Sequence, residues 1–237
     1  IKFINSMKKK IYHAIILARG GSKGIKNKNI VKIGNFPLLY WSIKQSLKSK
    51  IIRKTWVSSD STKILNLAKK YGASTIKRGK ELSNDKVGSD PALLHACKFI
   101  DKKYKDKFDK IVALQTTSPI RDSQDIDKGI KHYEKYKLDS LFTSNIINDF
   151  FIWKKINKTL KPINFNYKKR PNRQEIEDQY HENGSFYICD KKKFYKEKCR
   201  LFGRIGTFAL RKLMMHQIDD HEDLELMEYF FTKKHIK

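Results

Sequence analysis

Tyr12-His13-Ala14-Ile15-Ile16-Leu17-Ala18-Arg19-Gly20-Gly21-Ser22-Lys23-Gly24-Ile25-Lys26-Asn27-Lys28-Asn29-Ile30 joins a continuous apolar run to a basic glycine loop. A short apolar run closed by a glycine turn, Gly20-Gly21, reads as a strand buried on both faces. The loop then falls at the carboxyl edge of that strand, where α/β sheets bind ligands. Gly20, Gly21 and Gly24 permit close approach of the backbone to an anion, and successive N–H groups form a nest for it. Arg19, Lys23 and Lys28 add positive side chains, and Ser22 adds a hydroxyl. The set suits a triphosphate. It is not a Walker A loop, because no Gly-Lys-Ser/Thr follows at the required spacing, and it is not G-x-G-x-x-G. The bland alternative for such a loop is a solvated turn.

Outward from that loop the pattern alternates strand and helix. The residues predict helices over Pro37–Lys50, from Asp60 or Ser61 to Gly72, from Asp90-Pro91 through Cys97, and from Asp122 through Tyr133. Strands are predicted at Thr55–Ser59, Ser74–Lys77, Lys110–Gln115 and Ser140–Ser144. The alternation implies an α/β fold, a mostly parallel sheet with helices on both faces. From Ile146 to Asp178 the rhythm breaks into an aromatic stretch with Phe150, Phe151, Trp153, Phe165 and Tyr167. That stretch reads as an arm that buries its aromatics against another surface. Further strands are expected at Phe186–Cys189, Gly206–Leu210 and Met214–Ile218. A closing helix is expected over Glu222–Lys234, with Leu224, Met227 and Phe231 inward.

The 237 residues bound the chain to one large domain, taken as 8–237, with residues 146–182 as an arm within it. An apolar fraction of 39% and an aromatic fraction of 12% support a sizeable core despite 32% charged residues. The formal net charge of +27 attracts polyanions, acidic sugars and nucleotides among them. Lys is scattered along the chain, which equally fits solvated faces. Cys97, Cys189 and Cys199 are widely spaced and argue against a disulfide framework or a zinc site. No apolar run near the start is long enough for a membrane span or signal core, so the expectation is a cytoplasmic protein. The residues before Met7 are read as an upstream extension outside the fold.

Several further blocks stand in order along the chain. They are Arg78-Gly79-Lys80-Glu81-Leu82 with Asn84-Asp85, Leu114-Gln115-Thr116-Thr117-Ser118-Pro119-Ile120-Arg121, Arg173-Gln174, Asn183-Gly184-Ser185-Phe186-Tyr187-Ile188, and Ile218-Asp219-Asp220-His221-Glu222-Asp223-Leu224. With the glycine loop, they resemble the acylneuraminate cytidylyltransferases, the CMP–sialic acid synthetases, from about Ala14 to Leu226.

The resemblance implies a three-layer Rossmann-like nucleotidyltransferase fold with an inserted dimerisation arm. It implies transfer of CMP from CTP to an acidic nine-carbon ulosonic sugar, with Mg²⁺ or Mn²⁺. Ala18, Arg19, Gly20, Ser22, Lys23, Lys28 and Asn29 would hold the nucleotide, with Lys23 and Arg19 meeting charge on the leaving pyrophosphate. Arg78 and Ser89 match positions that read cytosine; Ser89 alternatively reads as a helix cap. Gln115, Arg173, His181 and Asn183 match sugar-facing positions, with Arg173 on the carboxylate. His181 stands where some relatives carry a second Arg. Asp219 is the metal candidate, and Gln217 stands where the family often places a second acid. Thr116 to Pro119 read as turn-forming residues, and Asp220, Glu222 and Asp223 as caps of the last helix. Family members are dimers, so a homodimer is expected, without nucleic-acid or membrane partners. Two alternatives stay open: a sister enzyme for Kdo or pseudaminate, and a basic nucleic-acid-binding protein whose affinity falls steeply with salt.

Overall fold

The computed structural model describes residues 10–84, 87–104, 107–148 and 150–232. The expected extension before Met7, Asp85 of the second block, and the reach of the last helix to Lys234 lie outside these residues. The strands are β1 (Tyr12–Leu17), β2 (Lys32–Ile33), β3 (Phe36–Pro37), β4 (Ile52–Ser59), β5 (Ser74–Lys77), β6 (Lys110–Leu114), β7 (Ser140–Ile147), β8 (Trp153–Ile156), β9 (Thr159–Pro162), β10 (Gln179–Asp190) and β11 (Ile205–Ala209). The α-helices are α1 (Leu38–Lys48), α2 (Thr62–Lys70), α3 (Ser89–Phe99), α4 (Ser123–Lys135), α5 (Lys191–Glu197) and α6 (His221–Thr232).

The main sheet has seven strands in the order β11-β7-β10-β6-β1-β4-β5. β10 pairs antiparallel with both β6 and β7, while the other pairings are parallel. Period-2 alternation sorts side chains to the two faces. In β1, Tyr12, Ala14 and Ile16 face one cluster and Ile15 the other; in β10, Phe186 and Ile188 oppose Tyr187 and Cys189. Helices α1, α2, α4 and α6 cover the first face, and α3 and α5 the second. The result is the three-layer architecture that the alternation implies. Each fully buried Ile or Leu contributes about 1.5–3 kcal/mol, so a strand such as β1, apolar on both faces, anchors the middle of the sheet.

Local chemistry explains most boundaries. Ser61, and not Asp60, caps α2: its side chain accepts from Ile64 N–H. Asp60 is used instead by the glycine loop, since Gly20 N–H donates to its Oδ1 at 2.9 Å. Asp122 and Asp125 form a capping box at α4, with Ile126, Ile130 and Tyr133 buried below it. Pro37 sits just before α1. The expected strand at Met214–Ile218 is not one. Lys212–Met215 forms a 3₁₀ turn, and Ile218 N–H donates to Thr117 O at 3.0 Å. Met214 and Ile218 are buried, and the turn packs against β7 and β10. The predicted Phe186–Cys189 is the inner part of the longer β10. The arm carries its own two-stranded hairpin, β8 and β9.

Chain order creates the site. From β1 the sheet grows outward through β4 and β5, then returns to the other side of β1 with β6. The crevice beyond the carboxyl ends of β1 and β6 is the switch point where such sheets bind ligands.

Candidate active site

A cavity of about 480 Å³ opens at that crevice. Arg19, Ser22, Lys23, Gly24, Lys28 and Asn29 line it from the glycine loop; Gln115, Thr116 and Thr117 line it from the end of β6. Arg78, Ser83 and Ser89 form a third side, and Asp219 enters from the far end of the chain.

The loop is fixed by its own backbone and by two amides. Ala18 N–H donates to Ser58 O at 3.0 Å, which ties the loop to β4. The Asn29 carboxamide donates to Arg19 O at 2.9 Å, and its oxygen accepts from the Thr116 hydroxyl at 2.6 Å. Asn29 therefore pins the loop across the switch point to the end of β6. Asn27 adopts the left-handed conformation, φ +58°, that turns the chain so Lys28 faces inward. Gly24 is a close approach: a Cβ there would stand 2.1 Å from Asp219 O.

Lys28 Nζ donates to Asp219 Oδ1 at 2.9 Å and to Ile218 O at 2.8 Å. The glycine loop and Asp219 thus line one cavity and touch across it. Arg78 is buried, donating to Ser58 O at 2.6 Å and to Ser83 Oγ at 2.8 Å. Burial lowers its guanidinium from the ordinary value; nearby Arg19 adds to this, and Asp60 opposes it. Cations held this close to one another favour an anion between them.

The remaining sequence candidates are placed as follows. Ala18 and Gly20 support the loop from behind and do not line the cavity. Asn183 is fully buried, donating to Asn145 Oδ1 at 2.8 Å and accepting from Ser185 N–H at 3.1 Å, so its amide holds β10 against β7. Gln217 packs its amide beside Gly184, and its carbonyl oxygen lies 3.4 Å from the Thr117 hydroxyl, behind the cavity wall. Arg173 and His181 are exposed on the arm and β10 and line no part of this cavity. Ser89 opens α3 after the N-cap Gly88 and lines the cavity, so it is not the helix cap. Arg200 lines the cavity too, although nothing in its sequence surroundings marks it. Arg121, 1% exposed, donates to the carbonyls of Ser118, Ser185 and Gln115 and holds the turn after β6 in place.

The arrangement is a cationic loop, one exposed carboxylate and a polar wall, all at the switch point. A family model described as Cytidylyltransferase matches residues 13–236. The chain belongs to the cytidylyltransferase family. This cytidylyltransferase is 35% identical to the N-acylneuraminate cytidylyltransferase of Escherichia coli O18:K1:H7 over 93% of its length, and spans 52% of that protein, about half. It is 32% identical to the CMP-N,N'-diacetyllegionaminic acid synthase of Campylobacter jejuni, covering 93% of this chain and 95% of that one. Its fold matches a CMP:2-keto-3-deoxy-manno-octonic acid synthetase complexed with CTP, with a TM-score of 0.71 and 15% identity over 95% of this chain and 100% of that one. Among the described residues, no helix is long and apolar enough to cross a membrane.

Proposed function

We propose that this enzyme transfers CMP from CTP to the anomeric hydroxyl of a nine-carbon sialic-type acid, an N-acylneuraminate, KDN or a legionaminate-like sugar. The observation that carries this reading is the junction of Lys28 with Asp219, which puts a polyphosphate loop and a hard oxygen ligand on one cavity wall. The sugar oxygen attacks the α-phosphorus, the bond to the bridging oxygen breaks, pyrophosphate leaves, and the hydroxyl proton passes to solvent. Such a displacement depends on positioning and charge neutralisation. Arg19, Ser22, Lys23 and Lys28 hold the phosphates, and Lys23 meets the charge that develops on pyrophosphate. Arg78 and Ser89 face the base, since cytosine O2 and N3 accept hydrogen bonds. Gln115, at the end of β6, contacts sugar hydroxyls.

Asp219 fits Mg²⁺ or Mn²⁺: its carboxylate is a hard oxygen donor at the cavity, and phosphate oxygens with water complete such a shell. When bound, the cation neutralises phosphate charge and lowers the pKa of the attacking hydroxyl. Among the described residues no group of three or more His, Cys, Asp or Glu side chains gathers to hold a metal. Gln217 brings no charge to it.

The arm exposes Ile152, Trp153, Ile156, Leu160, Ile163 and Tyr167. An apolar surface of that kind favours a homodimer in which each arm covers its partner. Arg173 and His181 then reach a sugar only across that interface. The test is pyrophosphate release from CTP and Mg²⁺ across N-acetylneuraminate, KDN, legionaminate, pseudaminate and Kdo. Release with a nine-carbon sialic-type acid supports the reading; preference for Kdo or pseudaminate moves it to a sister substrate, and no release with any sugar refutes it.

A further inference from the structure

Arg200 lies on the loop after α5, 111 positions from Ser89 on the same cavity wall. Its Nη2 donates to Ser89 Oγ, its Nε lies 3.0 Å from Asp90 Oδ1, and its guanidinium carbon lies 4.5 Å from the centroid of the Tyr187 ring. The Asp90 contact is an ion pair without an aligned hydrogen bond, since Asp90 Oδ1 has no partner of hydrogen-bond geometry. Tyr187 is itself anchored, donating its hydroxyl to Glu182 at 2.5 Å. Arg200 is thus held by charge from α3 and by stacking from β10, with a side chain only 18% exposed.

We propose that Arg200 is a positioning residue that makes the Ser89 hydroxyl a committed donor toward the nucleobase. A guanidinium offers donors only, whereas a hydroxyl has one proton and two lone pairs. With Arg200 donating to its oxygen, Ser89 directs its own proton elsewhere. Among the described residues no protein acceptor takes it, and Ser89 lines the cavity. A ligand atom that takes this proton is an acceptor, as cytosine O2 and N3 are, while one of the two lone pairs is already occupied by Arg200. Without Arg200, the hydroxyl would turn freely and would equally accept. The ordering cost would then fall on binding. The inference rests on the reading of Ser89 as a contact to the base.

The test is calorimetric titration of the whole enzyme with CTP and Mg²⁺, using Ser89→Ala, Arg200→Met, Arg200→Lys and the Ser89→Ala/Arg200→Met pair, each checked for a native melt. Each single loss should weaken CTP about tenfold. The double variant should be no weaker than Ser89→Ala alone, because both act through one hydrogen bond. Arg200→Lys should recover only part, since an ammonium lacks the planar fork. In turnover, Arg200→Met should raise KM for CTP and leave kcat within about twofold. Unchanged CTP binding in Ser89→Ala would end the base-contact reading itself. Weakened binding in Ser89→Ala with none in Arg200→Met, or additive losses in the double variant, would overturn the role of Arg200 and leave that reading standing. Should Arg200→Met fail to fold, Arg200→Lys combined with Ser89→Ala completes the same cycle.

Discussion

Lys28 and Asp219, 191 positions apart in sequence, meet at 2.9 Å between Nζ and Oδ1. The lysine side chain is 15% exposed and the aspartate 73%, so the carboxylate stands open to the cleft while the ammonium supports it from below. Each neutralises the other; under the proposed function a triphosphate with its cation would divide the pair, drawing Lys28 to phosphate and Asp219 to metal.

Asp219→Ala should therefore abolish most turnover while sparing the fold. A half-exposed ion pair is worth only up to about 1 kcal/mol, so the melting temperature should shift little. Loss of the metal and charge contact should cost about 10²-fold or more in kcat. Pyrophosphate release with CTP, alongside a thermal melt, measures both. A variant that keeps full turnover contradicts the role given to Asp219.

Gly24 should tolerate no side chain. A Cβ there would lie 2.1 Å from Asp219 O, a backbone atom that cannot move aside without shifting Asp219 itself. Gly24→Ala should cost about 1–3 kcal/mol and weaken CTP binding. Gly21 faces open space, with nothing within 4 Å of an added Cβ, so Gly21→Ala should leave stability nearly unchanged. Urea unfolding of the two variants side by side decides this; equal losses would contradict it.

Arg121→Met should be among the most destabilising changes in the chain. The substitution removes a donor from the buried carbonyls of Ser118, Ser185 and Gln115. Ser185 O still accepts from Gln115 N–H and Gln115 O from the Ser42 hydroxyl, so Ser118 O is the carbonyl left stranded. A stranded buried acceptor costs about 1–3 kcal/mol, so a loss of about that size is expected in urea unfolding. Activity should fall as well, because the Gln115–Pro119 turn loses its anchor.

Particular residues show what was legible in the chain. The apolar run from Tyr12 and the glycines after it announce a central strand and an anion loop, because both signals are local. That Asp219 returns to this loop follows only from the resemblance, since no local rule links positions so distant. Asn29 and Asn183 carry motif signals, yet their amides brace strands and loops; a sequence does not tell a contact to ligand from a contact to backbone. Met214, Met215 and Ile218 are apolar and Ile favours strands, but Lys212–Met215 coils into a 3₁₀ turn and Thr117 O takes the Ile218 N–H. Arg200 left no mark, because its partners Ser89, Asp90 and Tyr187 are brought to it only by the packing of α3 against β10.

Acid should loosen the far edge of the sheet through Asp139. Its carboxylate accepts from the Lys193 ammonium and from Arg204 N–H at 2.9 Å, and these bonds hold its carboxyl below the ordinary 3.8. A depressed carboxyl contributes stability that is fully present above its ordinary value and is lost as pH falls through the lowered one. Asp139→Asn should thus be less stable than the parent at neutral pH, and the gap should begin to narrow at about pH 4 and close as pH falls through the lowered value. Urea midpoints from pH 7 to about pH 2.5 test this; a gap that stays constant would count against it.

The most direct measurement is a crystal structure of the enzyme grown with CTP and Mn²⁺, read by anomalous scattering. The account predicts the triphosphate along residues 18–29 and a manganese peak bonded to both a phosphate oxygen and the Asp219 carboxylate. Manganese bound away from Asp219, or a triphosphate lying outside the glycine loop, would contradict it.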